Sequence, residues 1–200
     1  MVSHRSFRPV FALMLAAGVA LAAMYAARLV GVSGASFLPT SFVTHTVMFV
    51  LSMATMWLLS KGRLDLYGIT RGTYKFSPRI VMWVLPTAVL SVASTIALQG
   101  GQGPGFPIEL TKCQIVVFVW VYASICEELL TRGLLQTLLG GNSRVGPGAP
   151  RKLSMPVIVS ALFFGAMHLV LVKSMGLAAV PIILVVVFLG LVAACYRERT

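Results

Sequence analysis

The chain has 200 residues, of which 58% are hydrophobic and 10% charged, with a formal net charge of +11 and a mean hydropathy of +0.92. An ordinary soluble domain carries roughly 25% charged residues, so this composition excludes a water-soluble enzyme and points to an integral membrane protein. A basic excess of this size can signal nucleic-acid binding, but the positions of the charges give them another role.

Runs of about 20 apolar residues cross a hydrocarbon core of roughly 30 Å. Six are present, at approximately 9–31, 36–60, 80–99, 113–139, 154–172 and 176–196. The first follows His4, Arg5 and Arg8. Its Ala-rich text, LAAMYAARLVG, is similar to a signal-peptide cleavage region, yet its apolar part exceeds an h-region of about 7–15 residues. It is read as an uncleaved span. GVSG at 31–34 resembles the GxSG that carries the serine of rhomboid-type intramembrane proteases, but no histidine is placed as that family requires.

The second span holds His45 between Thr44 and Thr46, read as an interhelical hydrogen-bonding group rather than a metal ligand. After it, KGRLDLYGITRGTYKFSPR mixes basic residues with Leu64, Leu66, Tyr67, Tyr74 and Phe76, as a strip lying in the membrane interface does. GGQGPGFP and GGNSRVGPGAP are Gly/Pro breaks between helices, ordinary turns or loops that gate a buried site. No repeat divides the chain. The expected fold is all-α and polytopic, a single domain over 1–200 made of one bundle of about six transmembrane helices.

Arg5 and Arg8 precede the first span, and Lys61, Arg63, Arg71, Lys75 and Arg79 lie between the second and third. Arg144, Arg151 and Lys152 follow the fourth, and Arg197 and Arg199 follow the sixth. The opposite connections hold little beyond Arg28, Lys112 and Lys173. Every second connection is basic, which places both termini in the cytoplasm and brings the charges to anionic headgroups. Membrane lipids are the expected partners, nucleic acid is not, and the location is a bacterial-type plasma membrane. The three cysteines, Cys113, Cys126 and Cys195, show no metal or disulfide spacing. They read as small packing residues, with a thiol nucleophile at Cys126 the alternative.

Glu127 and Glu128 are the carboxylates that fall inside a span; Asp65, Glu109 and Glu198 belong to connections or the tail. A charge at mid-span costs at least ~2.5–3.5 kcal/mol on insertion scales, so such residues usually face an interior cavity and act there. Glu128 and Arg132 stand at i and i+4 on one face, where a carboxylate and a guanidinium pair. Glu127 is turned about 100° from Glu128 and is less directly compensated. A desolvated carboxylate beside another is a candidate general base. A purely structural Glu/Arg bridge is the competing reading.

In the fifth span, Phe164 and His168 are four apart and share a helix face. His168 is either a packing histidine or a group that holds water and passes protons. Its expected depth differs from that of Glu127 by roughly 7 Å, which allows proximity. A zinc site needs about three protein ligands, and no HExxH is present. No metal or cofactor is expected.

EELLTRG, with Glu127, Glu128, Arg132 and Gly133, followed about 30 residues later by FFGAMH, resembles the EExxxR and FxxxH motifs of the CPBP family. These are the CAAX proteases and bacteriocin-processing proteins, intramembrane glutamic endopeptidases. The resemblance covers about residues 112–200. It implies a helical bundle with a water-filled cavity in the membrane, Glu127 as the base that activates the hydrolytic water, and His168 as a holder of that water. Glu128 and Arg132 then support the site, with Phe164 as a further supporting residue. Family members generally add a helix with a histidine and, four residues later, an asparagine that stabilise the oxyanion. Asn142, the single asparagine, lies in a Gly-rich loop. The expectation is therefore a truncated piece of a longer protein; the alternative is a lost or relocated oxyanion hole.

The leading expectation is a metal-independent membrane endopeptidase acting on a peptide or protein substrate, with lipidated substrates among those the resemblance allows. The alternatives are a non-catalytic binding, immunity or scaffolding protein of the same fold, and a small transporter that uses Glu127 or Glu128 as a proton site.

Overall fold

A backbone in hydrocarbon has to satisfy its own hydrogen bonds, which favours helices, and all regular structure among the described residues is helical. The computed structural model describes residues 7–30, 40–69, 111–140 and 153–198, with positions 82, 85, 86, 89 and 93. Those five positions are helical; the rest of the expected third span, 80–99, lies outside the described residues, as do GVSG, GGQGPGFP and nearly all of GGNSRVGPGAP. The chain divides into two compact units, Met1–Thr70 with Phe106–Ser143, and Arg71–Gly105 with Arg144–Thr200.

In the first unit, α1 (Phe7–Val30) and α2 (Thr40–Ser60) match the first two expected spans to within a few residues. Ala12, Ala16, Val19, Ala23 and Ala27 of α1 are buried, a stripe at helical spacing whose small side chains let backbones approach. Met48, Ser52, Met56 and Ser60 form the buried line of α2. α2 ends in a Schellman turn: Gly62 N–H donates to Trp57 O at 2.8 Å and Lys61 N–H to Leu58 O at 3.3 Å. Lys61 takes the left-handed position, φ 54°, which glycine usually fills. A short 3-10 turn, Leu64–Tyr67, follows and buries Tyr67.

The third helix of this unit, α3 (residues 112–140), is continuous but not uniform. Ile115–Tyr122 and Leu129–Gln136 are wide π-type turns, and Ala123–Glu128 between them is α-helical. Residues 130–136 are all buried, so this stretch is enclosed on every side. Phe42 meets Phe118 and Tyr122, and Met56 faces Gly133; α2 and α3 therefore run parallel. A cavity of about 380 Å³ is lined by Arg8 and Phe11 from the start of α1, Ser60 and Tyr67 at and beyond the end of α2, and Thr137 from the end of α3. α1 is thus antiparallel to both, and Arg8, Lys61 and Arg63 gather toward one end.

In the second unit, α4 (Met155–Met167) is followed by α5 (Val170–Met175), a 3-10 turn (Gly176–Ala178) and α6 (Ala179–Arg197). Ser154 caps α4, accepting from Val157 N–H at 3.3 Å, and Pro156 sits in the first turn, where its missing N–H costs nothing. The Ser154 hydroxyl also bonds Glu198, and Gly165 lies against Val187. These two contacts close α4 and α6 into an antiparallel hairpin. The expected fifth span runs on to 172, but α4 stops at Met167. The bonds His168 N–H to Gly165 O at 3.0 Å and Leu169 N–H to Ala166 O at 3.1 Å tighten its last turn, so His168 occupies the cap.

Among the described residues, three stretches are long and apolar enough to cross a membrane: Arg8–Val30, Ser41–Ser60 and Met155–Arg197. The last, with 43 residues, would extend roughly 65 Å if straight, twice a hydrocarbon core. The hairpin is the physical resolution of that excess.

Candidate active site

Glu127 stands where α3 passes from α-turns to wide turns, a kind of irregularity that recurs at functional sites. Its Oε1 lies 3.3 Å from Nε2 of His45 on α2, with the side chains 17% and 14% exposed. The ring is anchored behind, where His45 Nδ1–H donates to the Ser41 carbonyl at 2.6 Å. Nearby, the Thr46 and Tyr122 hydroxyls bond at 2.9 Å. Phe42 stacks on Tyr122 with ring centroids 5.2 Å apart and meets Phe118 edge-on at 5.6 Å. Such aromatic contacts are worth about 0.5–1.5 kcal/mol each beyond burial. They fix α2 against α3, and that register delivers His45 to Glu127.

Glu128 has a different partner. Arg132 Nη1 is 3.4 Å from Glu128 Oε1, the i, i+4 pair that the spacing predicts. Arg132 also donates to Thr131 Oγ1, and the Thr131 hydroxyl donates to the Glu127 backbone carbonyl at 2.7 Å. One buried cation is therefore linked to the carboxylate of Glu128 and, through Thr131, to the backbone of Glu127.

In the second unit, His168 Nδ1–H donates to the Phe164 carbonyl at 2.9 Å, and the two rings meet edge-on with centroids 5.1 Å apart. The proton held on Nδ1 leaves the Nε2 lone pair as an acceptor. Phe164 thus sets both the tautomer and the tilt of the imidazole. Both histidines use the same anchor, a carbonyl four residues back, which commits Nδ1 and leaves Nε2 to other partners.

The structure brings Glu127, Glu128 and Arg132 together in the first unit, and Phe164 and His168 together in the second. Two partners escaped the sequence reading of the site. His45 was legible as an interhelical group, but nothing local names Glu127 as its partner. Thr131 had a weak signal, its i+4 spacing from Glu127, at which a hydroxyl bonds back to the helix carbonyl. Cys126, fully buried, is a packing residue and is closed to the access a nucleophile needs. Glu127 and His45 offer two atoms of ligand type, and among the described residues no group of three His, Cys, Asp or Glu side chains gathers.

Comparison with curated proteins and with solved structures gives no match. The stretch that carries Glu127, Glu128, Arg132, Phe164 and His168 does have one: residues 109–200 match the family model described as type II CAAX prenyl endopeptidase Rce1-like, and over that stretch the chain is similar to that family.

Proposed function

We propose that this protein is an intramembrane endopeptidase that hydrolyses a peptide bond with water activated by Glu127. The observation that carries the reading is the division of labour between two adjacent carboxylates. Glu128 is spent on Arg132, while the carboxylate of Glu127, 17% exposed, meets only an imidazole among the described residues and keeps a basic oxygen for chemistry. The Rce1-like match supports a CAAX-protease-type membrane endopeptidase.

In the proposed reaction, Glu127 takes a proton from water as the water oxygen adds to the scissile carbonyl carbon. The proton then passes to the amide nitrogen as the C–N bond breaks. His168, with its Nε2 lone pair, helps hold that water. Glu128, Arg132 and Phe164 support the two acting groups. No metal or acyl-enzyme takes part in this scheme, and the substrate is a membrane-associated peptide or protein, lipidated ones included.

The topology we propose is one bundle of six crossings with both termini cytoplasmic. The parallel course of α2 and α3, which requires an odd number of crossings between them, supports it. So does the gathering of Arg8, Lys61 and Arg63 toward one end. The test is cleavage by the full chain in lipid vesicles, assayed against prenylated and unprenylated C-terminal peptides. Glu127→Gln and His168→Ala should each lower cleavage by about 10²–10⁴-fold while leaving membrane insertion intact; full activity in either removes the residue from the mechanism.

A further inference from the structure

The contact between His45 and Glu127 constrains its own protons. His45 Nδ1–H is committed to the Ser41 carbonyl at 2.6 Å. A neutral ring of that tautomer has only a lone pair at Nε2, and an ionised carboxylate has only lone pairs at Oε1. Two such acceptors repel, yet they lie 3.3 Å apart in a half-buried position. One proton between them resolves the conflict, either as a carboxyl donating to imidazole or as imidazolium donating to carboxylate. Both forms are neutral overall, and both avoid the cost of a lone charge at membrane depth.

We infer that His45 is a positioning residue for Glu127, sharing one proton between Nε2 and Oε1 and thereby fixing which carboxylate oxygen faces the substrate water. The inference rests on the reading of Glu127 as the water-activating base. Among the described residues Oε2 of Glu127 has no hydrogen-bond partner, so in the imidazolium–carboxylate form, with the shared proton on Nε2, it is the oxygen left to receive the proton from water. That proton goes on to the departing amide nitrogen, and the proton shared with His45 lies on neither path and is in place at the end of the cycle. The Ser41 carbonyl holds the ring from behind, and the Phe42, Thr46 and Tyr122 contacts hold α2 in register. The dyad is thus supported on both sides of the ring.

The chain has three histidines, which makes the dyad accessible to nitrogen NMR of the full chain, labelled at histidine, in lipid nanodiscs. His45→Gln identifies the signals. The expected result is a protonated Nδ1 and an Nε2 resonance that moves on Glu127→Gln and stays in place on Glu128→Gln. An Nε2 resonance indifferent to Glu127→Gln overturns the proton sharing. In the kinetic arm, His45→Gln should lower kcat by about 10²-fold with KM unchanged, the signature of a group that acts in the transition state. Unchanged kcat overturns the positioning role. If the wild-type chain cleaves no peptide, the endopeptidase reading fails and the catalytic role falls with it, while the NMR arm still decides whether the proton is shared.

Discussion

Thr131 Oγ1 lies 2.7 Å from the backbone carbonyl of Glu127 and accepts from Arg132, so a fully buried hydroxyl joins the cation of the cluster to the peptide group of Glu127. Removing that hydroxyl at constant shape isolates its contribution. Thr131→Val takes away an acceptor from Arg132 and a donor from the Glu127 carbonyl in a buried setting, where an unmet polar group costs about 1–3 kcal/mol. Thr131→Ser keeps both bonds. Thermal unfolding in detergent should show a loss of that size for valine and a smaller one for serine; equal losses would mean that the methyl group, not the hydroxyl, matters.

The hairpin of the second unit makes a separate prediction. A Cβ at Gly165 would overlap Cγ2 of Val187, and a β-branched side chain has little rotamer freedom with which to retreat. Gly165→Ala should destabilise by about 1–3 kcal/mol, the usual cost of overpacking. Gly18 of α1 is the control, because a Cβ there meets nothing within 4 Å, and Gly18→Ala should be neutral or stabilise by up to ~1 kcal/mol through helix propensity. The pair of melting curves checks the contact directly.

Hydropathy alone located α1, α2 and α6, because a chain that must be apolar for 20 residues leaves little choice of boundaries. The Glu128–Arg132 pair was equally legible, since i, i+4 spacing is a local property of a helix. The Glu127–His45 contact was not. Its residues are 82 positions apart, and they meet only because Phe42, Thr46 and Tyr122 set the register between α2 and α3. His168 was expected inside a span running to 172, and it lies at the cap of α4. Hydropathy continues smoothly past Met167, whereas the helix tightens there through backbone bonds that a residue-by-residue scale does not register. The wide turns of α3 had no sequence signal that we can name. The contacts of Arg132 do not depend on them, because Glu128–Arg132 and Glu127–Thr131 are both i, i+4 pairs.

The two glutamates should separate in function as they do in geometry. Glu128→Gln removes the carboxylate 3.4 Å from Arg132 and leaves a guanidinium 3% exposed with its bond to Thr131. Breaking a fully buried pair costs about 3–5 kcal/mol. Glu128 is 44% exposed, which screens the interaction and brings the expected loss of stability nearer 1–3 kcal/mol. Glu127 retains His45 in this variant, so cleavage below the melting temperature should fall by less than the 10²-fold minimum that marks the loss of a base. Measuring unfolding and turnover on the same vesicle preparation keeps the two effects apart. If Glu128→Gln abolishes turnover as fully as Glu127→Gln while melting near the wild type, the carboxylate of Glu128 takes part in the chemistry, and the division of labour assigned to the pair is wrong.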